Sequence, residues 1–404
     1  MLTLTLLALV VLVAVAIATL TRVSTRIAAT STLQTQARQN ALVGLGVAIG
    51  ELQRLAGVDD VVTGRSSVRA KSVANRSLTG VWPAAGATEL PLNWLVSGNF
   101  SPDAARSIDH RSVPDETESF ITLVGAGSVT SSAVATNYAR AKKIAIPAAT
   151  AGGNAQHYAF WIGDEGAKAA LAVPAAEAPV AETGAGLWAD PRGELAGFPL
   201  GSATLERLWT LEQLRHVTTG ALLKAKFHDY AIGARWIDEV GEVRSGLFNI
   251  NTTSVDSWKA VLRAYDAARA TDSSALAGRV GILAERLTGN MSGTTLSGQK
   301  ARFGPFLSVV GFWNSNIVED SLADVGIDDV TQEEIRVVLS PMLAVRSDTF
   351  RVRAYGDAAG AGNAAPEAVA YCEAIVQRTP ETIDATLGRR FVVVSFRWLL
   401  PDDV

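Results

Sequence analysis

Residues 1–20 read MLTLTLLALVVLVAVAIATL, an apolar run without a charged residue. Twelve of these residues are Leu, Val or Ile, and the only polar ones are Thr3, Thr5 and Thr19. Apolar residues of this kind favour insertion of a helix into a bilayer by roughly 4 to 7 kcal/mol in total. A helix of this length extends about 30 Å, which matches the hydrocarbon layer. The segment is therefore predicted to be a transmembrane helix.

The start of the run bears on how the chain reaches the membrane. A cleaved secretory signal would place a basic region before an apolar core of about 7 to 15 residues, followed by a small-residue cleavage site. Here the apolar run begins at Met1, has no basic flank and is longer than such a core. We interpret the sequence as a mature form from which a basic leader was removed. The alternative is that another feature sets the orientation.

The helical pattern continues past residue 20. No proline occurs before Pro83, and Gly57 is a suitable stop. One apolar stripe, at spacings mostly of three or four, contains Val23, Ile27, Leu33, Ala37, Ala41, Leu45, Ile49, Leu52 and Leu55. The pattern predicts one helix of about 56 residues and about 84 Å, half in lipid and half packed against a head. Gly44, Gly46 and Gly50 lack phosphate-loop spacing, so close helix packing explains them better.

A membrane helix that continues into an amphipathic half resembles the N-terminal segment of type IV pilins and pseudopilins. The resemblance implies cleavage by a prepilin peptidase and packing of this helix against other pilin-like subunits in a filament. The assembly residues that it implies are Met1, Leu2, Leu4, Thr5, Leu6, Leu9 and Val13. Major pilins carry Glu at the fifth mature position, where this chain has Thr5. If Met1 is the mature start, the chain resembles subunits that lack this glutamate.

The middle of the chain carries weaker signals. Residues 158–162 are predicted to form a strand, 169–186 a surface loop and 205–227 a helix. Two further strands are predicted at 230–237 and 243–250. In the C-terminal part, helices are predicted near 255–269, 275–287 and 332–339, and strands near 346–356, 368–377 and 390–400.

Three phrases extend the resemblance. GLFNIN at 246–251 is similar to the G-x-[FV]-N-[IL]-N motif of the general secretion pathway protein K family, the large minor pseudopilin of type II secretion. In that family the motif marks the exit from the sheet into an inserted helical domain. SDTFRVRAYG at 347–356 and VQR at 376–378 are similar to the family's segments that return the chain to the sheet.

Composition argues against several functions. The net charge is -4 and no large basic field occurs, so we expect no nucleic-acid partner. The single cysteine, Cys372, can form no internal disulfide and lies in an alternating strand pattern, which indicates a structural thiol. The histidines show no i, i+4 pairing, and neither a nucleophile elbow nor a phosphate loop occurs. We expect a protein that is not an enzyme and has no cofactor.

One run of acidic residues is a candidate metal-binding site. Its candidate calcium ligands are Glu319, Asp320, Asp324, Asp328 and Asp329. The resemblance to the protein K family also implies calcium in the inserted region. The run lacks the order of a defined calcium loop, and acidic residues beside a helix start at Thr331 are equally well explained by the helix dipole.

The predicted fold is α+β, with a long N-terminal helix, half transmembrane and half amphipathic, packed on a four-stranded antiparallel pilin-like sheet with an inserted helical lobe. The predicted divisions are a transmembrane helix at 1–20, its amphipathic continuation at 21–57, a variable head region rich in Ala, Gly and Ser at 58–228, sheet strands at 229–253, an inserted helical lobe at 254–345 and returning sheet strands at 346–404.

The predicted function is a structural subunit of a type IV pilus or type II secretion pseudopilus, minor or located at the tip. The alternatives are a major filament subunit and a monomeric membrane-anchored periplasmic binding protein. An anchor needs apolar residues only across the bilayer, whereas this stripe continues about 35 residues further. We expect the chain in the inner membrane with its head in the periplasm, or outside the cell in a filament. A chain that begins near Gly57 is expected to be soluble.

Overall fold

The structure is a computed structural model. Its described residues are 2–68, 75, 77–86, 91–99, 119–130, 137–147, 156–170, 224, 226–231, 247–269, 276, 278–293, 304–359 and 365–404.

The N-terminal segment forms one uninterrupted helix, α1 (Leu2–Ala56), of 55 residues. At about 1.5 Å per residue it is about 80 Å long. Leu and Ala, both strong helix formers, dominate it. The helix ends where predicted, and the amide of Gly57 donates to the Gln53 carbonyl at 3.1 Å. The prediction of a single long helix is confirmed.

The strands, in chain order, are β1 (Val61–Arg65), β2 (Thr79–Pro83), β3 (Asn93–Trp94), β4 (Phe120–Val124), β5 (Ala139–Lys142), β6 (Ile144–Ile146), β7 (Gln156–Asp164), β8 (Ala169–Ala170), β9 (Tyr230–Ala231), β10 (Phe248–Asn249), β11 (Leu343–Ala344), β12 (Thr349–Ala358), β13 (Ala368–Asp384) and β14 (Gly388–Leu399). The further helices are α2 (Val255–Ala268), α3 (Val280–Ser292), α4 (Val309–Asn314), α5 (Ile317–Asp324) and α6 (Gln332–Leu339).

The main sheet is antiparallel and has five strands in the order β14-β13-β12-β7-β6. Its three C-terminal strands are those predicted from the alternating pattern, with ends shifted by a few residues. The expected α+β class, a long helix on an antiparallel sheet with a helical lobe inserted in the chain, is confirmed. The sheet has one strand more than the predicted four.

The strands predicted within 229–253 differ from the observed structure. The described residues of this segment form only β9 and β10, which pair in parallel with β8 and β11 outside the main sheet. The position next to β12 belongs instead to β7. The reason is that β7 offers apolar residues to both faces, Phe160 and Ile162 to one and Ala159 and Trp161 to the other, whereas Asn249 and Asn251 need buried polar partners.

Each face of the main sheet is covered differently. On one face Phe350, Val352 and Ala354 pack against α1. On the other face Tyr355 and Trp161 pack with residues from β1 to β5. The sheet is thus a central layer between α1 and a second layer built from the earlier strands.

The helical lobe has a core of its own. Trp258 of α2 stacks on Phe312 of α4, with ring centroids 5.8 Å apart. Helix α6 has the predicted bounds, and Thr331 and Glu334 form a capping box at its start. Helix α3 begins later than predicted because Gly278, at a φ of 76°, adopts a left-handed conformation that interrupts the helix.

Two buried asparagines join the lobe to the rest of the head. The Asn249 side chain donates to the Thr63 carbonyl at 3.0 Å and to the Ser347 hydroxyl at 3.0 Å. The Asn251 side chain donates to the carbonyls of Thr63 at 3.1 Å and Phe306 at 3.1 Å, and it accepts from the Phe306 amide at 2.7 Å. Through these bonds, the two asparagines connect strand β1, the helical lobe and the chain segment that returns to the sheet. The bonds give a physical reason for both asparagines of GLFNIN.

Several predictions fall largely outside the described residues. The helix predicted at 205–227 and the strands predicted at 230–237 and 243–250 are described only at 224, 226, 227, 230, 231 and 247–250. Of the loop predicted at 169–186, only residues 169 and 170 are described, and these form β8.

The structure argues against the expectation that a chain beginning near Gly57 is soluble. Seven residues of α1 belong to the core against the sheet: Ala37, Ala41, Leu45, Ala48, Leu52, Leu55 and Ala56. Burial of Leu45, Leu52 and Leu55 alone contributes about 5 to 9 kcal/mol. This is comparable to the whole stability of a typical domain, about 5 to 15 kcal/mol. The head therefore requires the second half of α1.

We predict that the full chain remains with the membrane after a carbonate wash, and that a chain beginning at Ala29 is soluble and folded. A chain beginning at Gly57 should aggregate, because it exposes the sheet face that α1 covers. Fractionation, followed by circular dichroism and size-exclusion chromatography, checks all three chains. A folded, monomeric chain from Gly57 would contradict this assignment of the core.

Candidate assembly surface

The first half of α1 makes no contact with the described part of the head. Every described side chain from residue 3 to residue 32 is exposed, and contact with the head begins at Leu33. Among the predicted assembly residues, Leu6, Leu9 and Val13 are 63%, 60% and 48% exposed. Met1 lies outside the described residues, and Leu2, Leu4 and Thr5 are described only as part of the helix backbone. By length and composition α1 can cross a membrane.

The threonine hydroxyls after the apolar run are bonded within the helix. The hydroxyl groups of Thr21, Thr25, Thr30, Thr32 and Thr35 each donate to the carbonyl four residues earlier, at 2.8 to 2.9 Å. Thr19 does the same at 3.0 Å. A hydroxyl bonded in this way can enter an apolar environment at little cost. This surface is therefore suited to burial against another helix.

The second half of α1 is seated closely on the sheet. A Cβ atom on Gly356 would overlap backbone atoms of Ala37, Asn40 and Ala41. Asn40 Nδ2 donates to the Asp357 carbonyl at 2.7 Å. Beneath the helix, burial raises the pKa of the Cys372 thiol to about 12. The structure therefore makes Cys372 an inert core thiol, as predicted from its strand.

The head end of α1 is held by the β13–β14 hairpin. Gln53 Nε2 donates to the carbonyls of Leu387 at 2.6 Å and Arg389 at 2.7 Å. Gln53 Oε1 accepts from the Phe391 amide at 2.9 Å. Arg378 donates to the Gly57 carbonyl at 2.5 Å, directly after the helix end. The helix is thus fixed by polar contacts at its end as well as by apolar packing along its face.

An apolar patch lies beside the helix on β14, which is the edge strand of the main sheet. Val393, Phe396 and Trp398 are 46%, 42% and 40% exposed, and Leu42 of α1 is 45% exposed. The Arg38 guanidinium lies over the Trp398 ring at 5.6 Å from its centroid. The alternating pattern predicts this strand, but it does not show which strand is at the edge.

Sequence reasoning missed a charge cluster on the sheet face opposite α1. Glu373 lies 3.3 Å from Arg351, 2.8 Å from Arg353 and 2.8 Å from Arg397. Burial raises the pKa of Glu373, but the three guanidinium groups outweigh burial and hold it below the ordinary value. The sequence signal was the pair of arginines at alternate positions of a strand, RVR at 351–353, on the face that ordinarily takes apolar residues.

The cluster continues to a second carboxylate. Arg351 lies 3.1 Å from Glu165, which also contacts Lys168 at 2.5 Å. Burial raises the pKa of Glu165, and Arg351 and Lys168 together bring it below its ordinary value. The cations of Arg351, Arg353 and Lys168 all lie within 5.0 Å of the Phe227 ring centroid. These charges tie β12 to β13 and to the segment after β7.

The structure does not bring the acidic run together. Glu319 and Asp320 lie in the first turn of α5, and Asp324, at the end of this helix, is 3.7 Å from Arg286. Asp328 and Asp329 lie in the loop before α6. In the part of the chain that the structure describes, no three acidic, His or Cys side chains are grouped as for a metal ion.

Comparisons with known proteins do not assign this chain to a family. Neither a scan against protein-family models nor a search of curated proteins found a match. Among solved structures, a chain of the GspK-GspI-GspJ complex from the type 2 secretion system of enterotoxigenic Escherichia coli shows a likeness with 15% identity and a TM-score of 0.26. The match covers 64% of this chain and 84% of that chain. The evidence for the architecture is therefore this chain's own helix and sheet.

We predict that Glu373→Gln destabilises the head by about 3 to 5 kcal/mol at pH 7, because it removes the carboxylate that the buried Arg351 and Arg353 share with the half-buried Arg397. Because the folded-state pKa of Glu373 is below its unfolded value, its contribution is complete above about pH 4.5. It declines as the pH falls from there through the lowered pKa. Urea unfolding of the chain from Ala29 should show the difference between wild type and variant shrinking below that pH.

The matched control is Glu381→Gln. Glu381 is 59% exposed and lies 3.2 Å from Arg390, so its loss should change the free energy of unfolding by less than about 1 kcal/mol. Equal effects of the two substitutions, or a Glu373→Gln effect that does not change with pH, would contradict the assigned role of the cluster.

Proposed function

We propose that this chain is a structural pilin-like subunit of a type IV pilus or type II secretion pseudopilus, and that α1 is its assembly element. The observation that carries the proposal is the division of α1. Its second half is part of the head core, whereas its first half begins with the apolar run 1–20 and is exposed at every described side chain up to residue 32. A helix of this kind is suited both to storage in a bilayer and to packing among similar helices.

The proposed role is neither enzymatic nor dependent on a cofactor. Before assembly the chain would lie in the inner membrane with its head in the periplasm, after a prepilin peptidase had removed any leader. In the filament its partners would be other pilin-like subunits, contacted through α1. The contacts of Asn40, Gln53 and Gly356 support this role, because they hold α1 in a fixed position against the sheet of the head.

If Met1 is the mature start, Thr5 supports a minor or tip location. A glutamate at this position of a pilin is buried among apolar groups and must be compensated by a neighbour, since an unpaired charge there costs several kcal/mol. A threonine avoids that cost, because its hydroxyl can bond the carbonyl one turn back. A subunit without a neighbour above it loses nothing by lacking the glutamate.

We predict that gold-labelled antibody against the head marks filament ends at low copy number. The labelling should be lost when the cells express only the chain beginning at Ala29, because this chain keeps the head core but lacks the assembly half of α1. Immunoelectron microscopy of purified filaments, with immunoblotting of the released head, provides the measurement.

Thr5→Glu serves as the control at the tip position, and it should leave labelling unchanged or reduced. Uniform decoration along the shaft would contradict the minor role and would favour a major subunit. A full chain found only as a membrane monomer, with no filament labelled, would contradict assembly altogether and would favour the anchored binding protein.

A further inference from the structure

The charges of α1 all have one sign up to residue 50. Residues 1–50 contain three arginines, Arg22, Arg26 and Arg38, and no Asp or Glu. Arg38 lies over Trp398 of its own head. Arg22 and Arg26 are exposed and form no ion pair with any residue that the structure describes. Helix α1 therefore carries two cations for which the described part of the head supplies no counter-charge.

Both cations lie outside the described part of the head. Arg22 and Arg26 are one helical turn apart and share a face. They follow directly after the apolar run that ends at Leu20. Leu33, the first residue to touch the head, is about 10 Å further along the axis. The two cations lie between the bilayer core and the head.

The surrounding residues indicate a helix, not a lipid surface, as the occupant. Residues 21–32 are mostly Thr, Ser and Ala, small residues that allow two helix backbones to approach closely. The hydroxyls of Thr21, Thr25, Thr30 and Thr32 are already bonded within the helix. The first aromatic residue of the chain is Trp82, so the aromatic belt typical of a lipid interface is absent from α1.

A second copy of the chain is a poor occupant. The first carboxylate of such a copy is Glu51, which lies about 38 Å from Arg26 along the helix axis. Its own Arg54 already contacts it at 2.6 Å. Parallel copies packed near register would bring arginines together, and like charges at an interface cost several kcal/mol.

We propose that Arg22 and Arg26 form a charge-selective docking site for the membrane helix of a different chain, one that carries Asp or Glu on the facing surface. The inference rests on the proposed function, since it assumes that α1 packs against other helices. The site makes α1 select an acidic partner and disfavours a filament made of this chain alone.

The test uses full chains in phosphatidylcholine vesicles, with donor and acceptor labels on separate copies, and measures association by energy transfer. The double variant Arg22→Glu with Arg26→Glu stands in for the acidic partner. Its association with wild type should exceed that of wild type with wild type by at least about tenfold, and added salt should weaken it. Arg22→Gln with Arg26→Gln should self-associate more strongly than wild type.

Arg38→Glu is the matched control, because it reverses a charge of α1 that already has a partner in the head. This variant should associate with wild type no more strongly than wild type associates with itself. Equal association in all pairs, or none in any pair, overturns the inference. A further outcome also overturns the inference. The charge preference would be lost when phosphatidylglycerol replaces phosphatidylcholine, and the anionic lipid would retain wild type but not the Gln variant. This outcome would assign the two arginines to lipid headgroups.

The two proposals fail separately. A chain that marks filament ends but shows no charge preference in vesicles leaves the proposed function standing and removes only the docking site. A chain that shows the preference but enters no filament supports a heteromeric membrane complex and removes the filament role.

Discussion

The close approach of α1 to strand β12 is the constraint on which the head depends. Gly356 lies directly against the backbone of α1, so that the helix rests on the sheet without an intervening side chain. The facing residues of the helix are correspondingly small, with Ala37 and Ala41 at the contact and Leu45 and Leu52 further along. Because the two surfaces fit so closely, the helix and the sheet form one core.

Polar groups give this packing a defined register. Asn40 and Gln53 bond the sheet at two levels of α1, about 20 Å apart. On the other side of the sheet, Glu373 and its three arginines tie the strands together, and Asn249 and Asn251 attach the helical lobe. Buried polar networks of this kind favour one arrangement over alternatives when all their members are bonded. These contacts join the described parts of the head to the second half of α1.

The fold could be predicted from the sequence where a residue pattern is compatible with only one type of secondary structure. The apolar run and its continuing stripe have no explanation other than a long helix, and α6 carries a capping box that marks its start at Thr331. The strands β12, β13 and β14 alternate apolar and polar residues with a period of two, which indicates a strand. These helices and strands could therefore be predicted from residues that show a regular period or cap a helix.

The remainder depended on contacts between distant residues. The place of β7 beside β12 and the exposure of Trp398 at the sheet edge follow from strand order, which local periodicity does not encode. Arg351 and Arg353 alone have the pattern of an exposed strand face, and their burial depends on Glu373 and Glu165, which are distant in the sequence. The GLFNIN phrase carries a family resemblance, whereas its role as a junction depends on contacts with Thr63 and with Phe306, which is 55 positions from Asn251.

Cys372 provides a direct reporter of the seating of α1, since its thiol lies 3.9 Å from the Ala41 carbonyl, is buried beneath the helix and is the only thiol in the chain. The decisive measurement is its rate of reaction with a thiol reagent under native conditions, in wild type, Gly356→Ala and Gly46→Ala. Gly46 is on the same helix but has open space around it, so its substitution should leave the thiol protected. Overpacking at Gly356 costs about 1 to 3 kcal/mol and should speed the reaction about 5- to 150-fold by favouring local opening. Rapid labelling of the wild-type thiol, or equal rates in the two glycine variants, would contradict the claim that helix and sheet form one core.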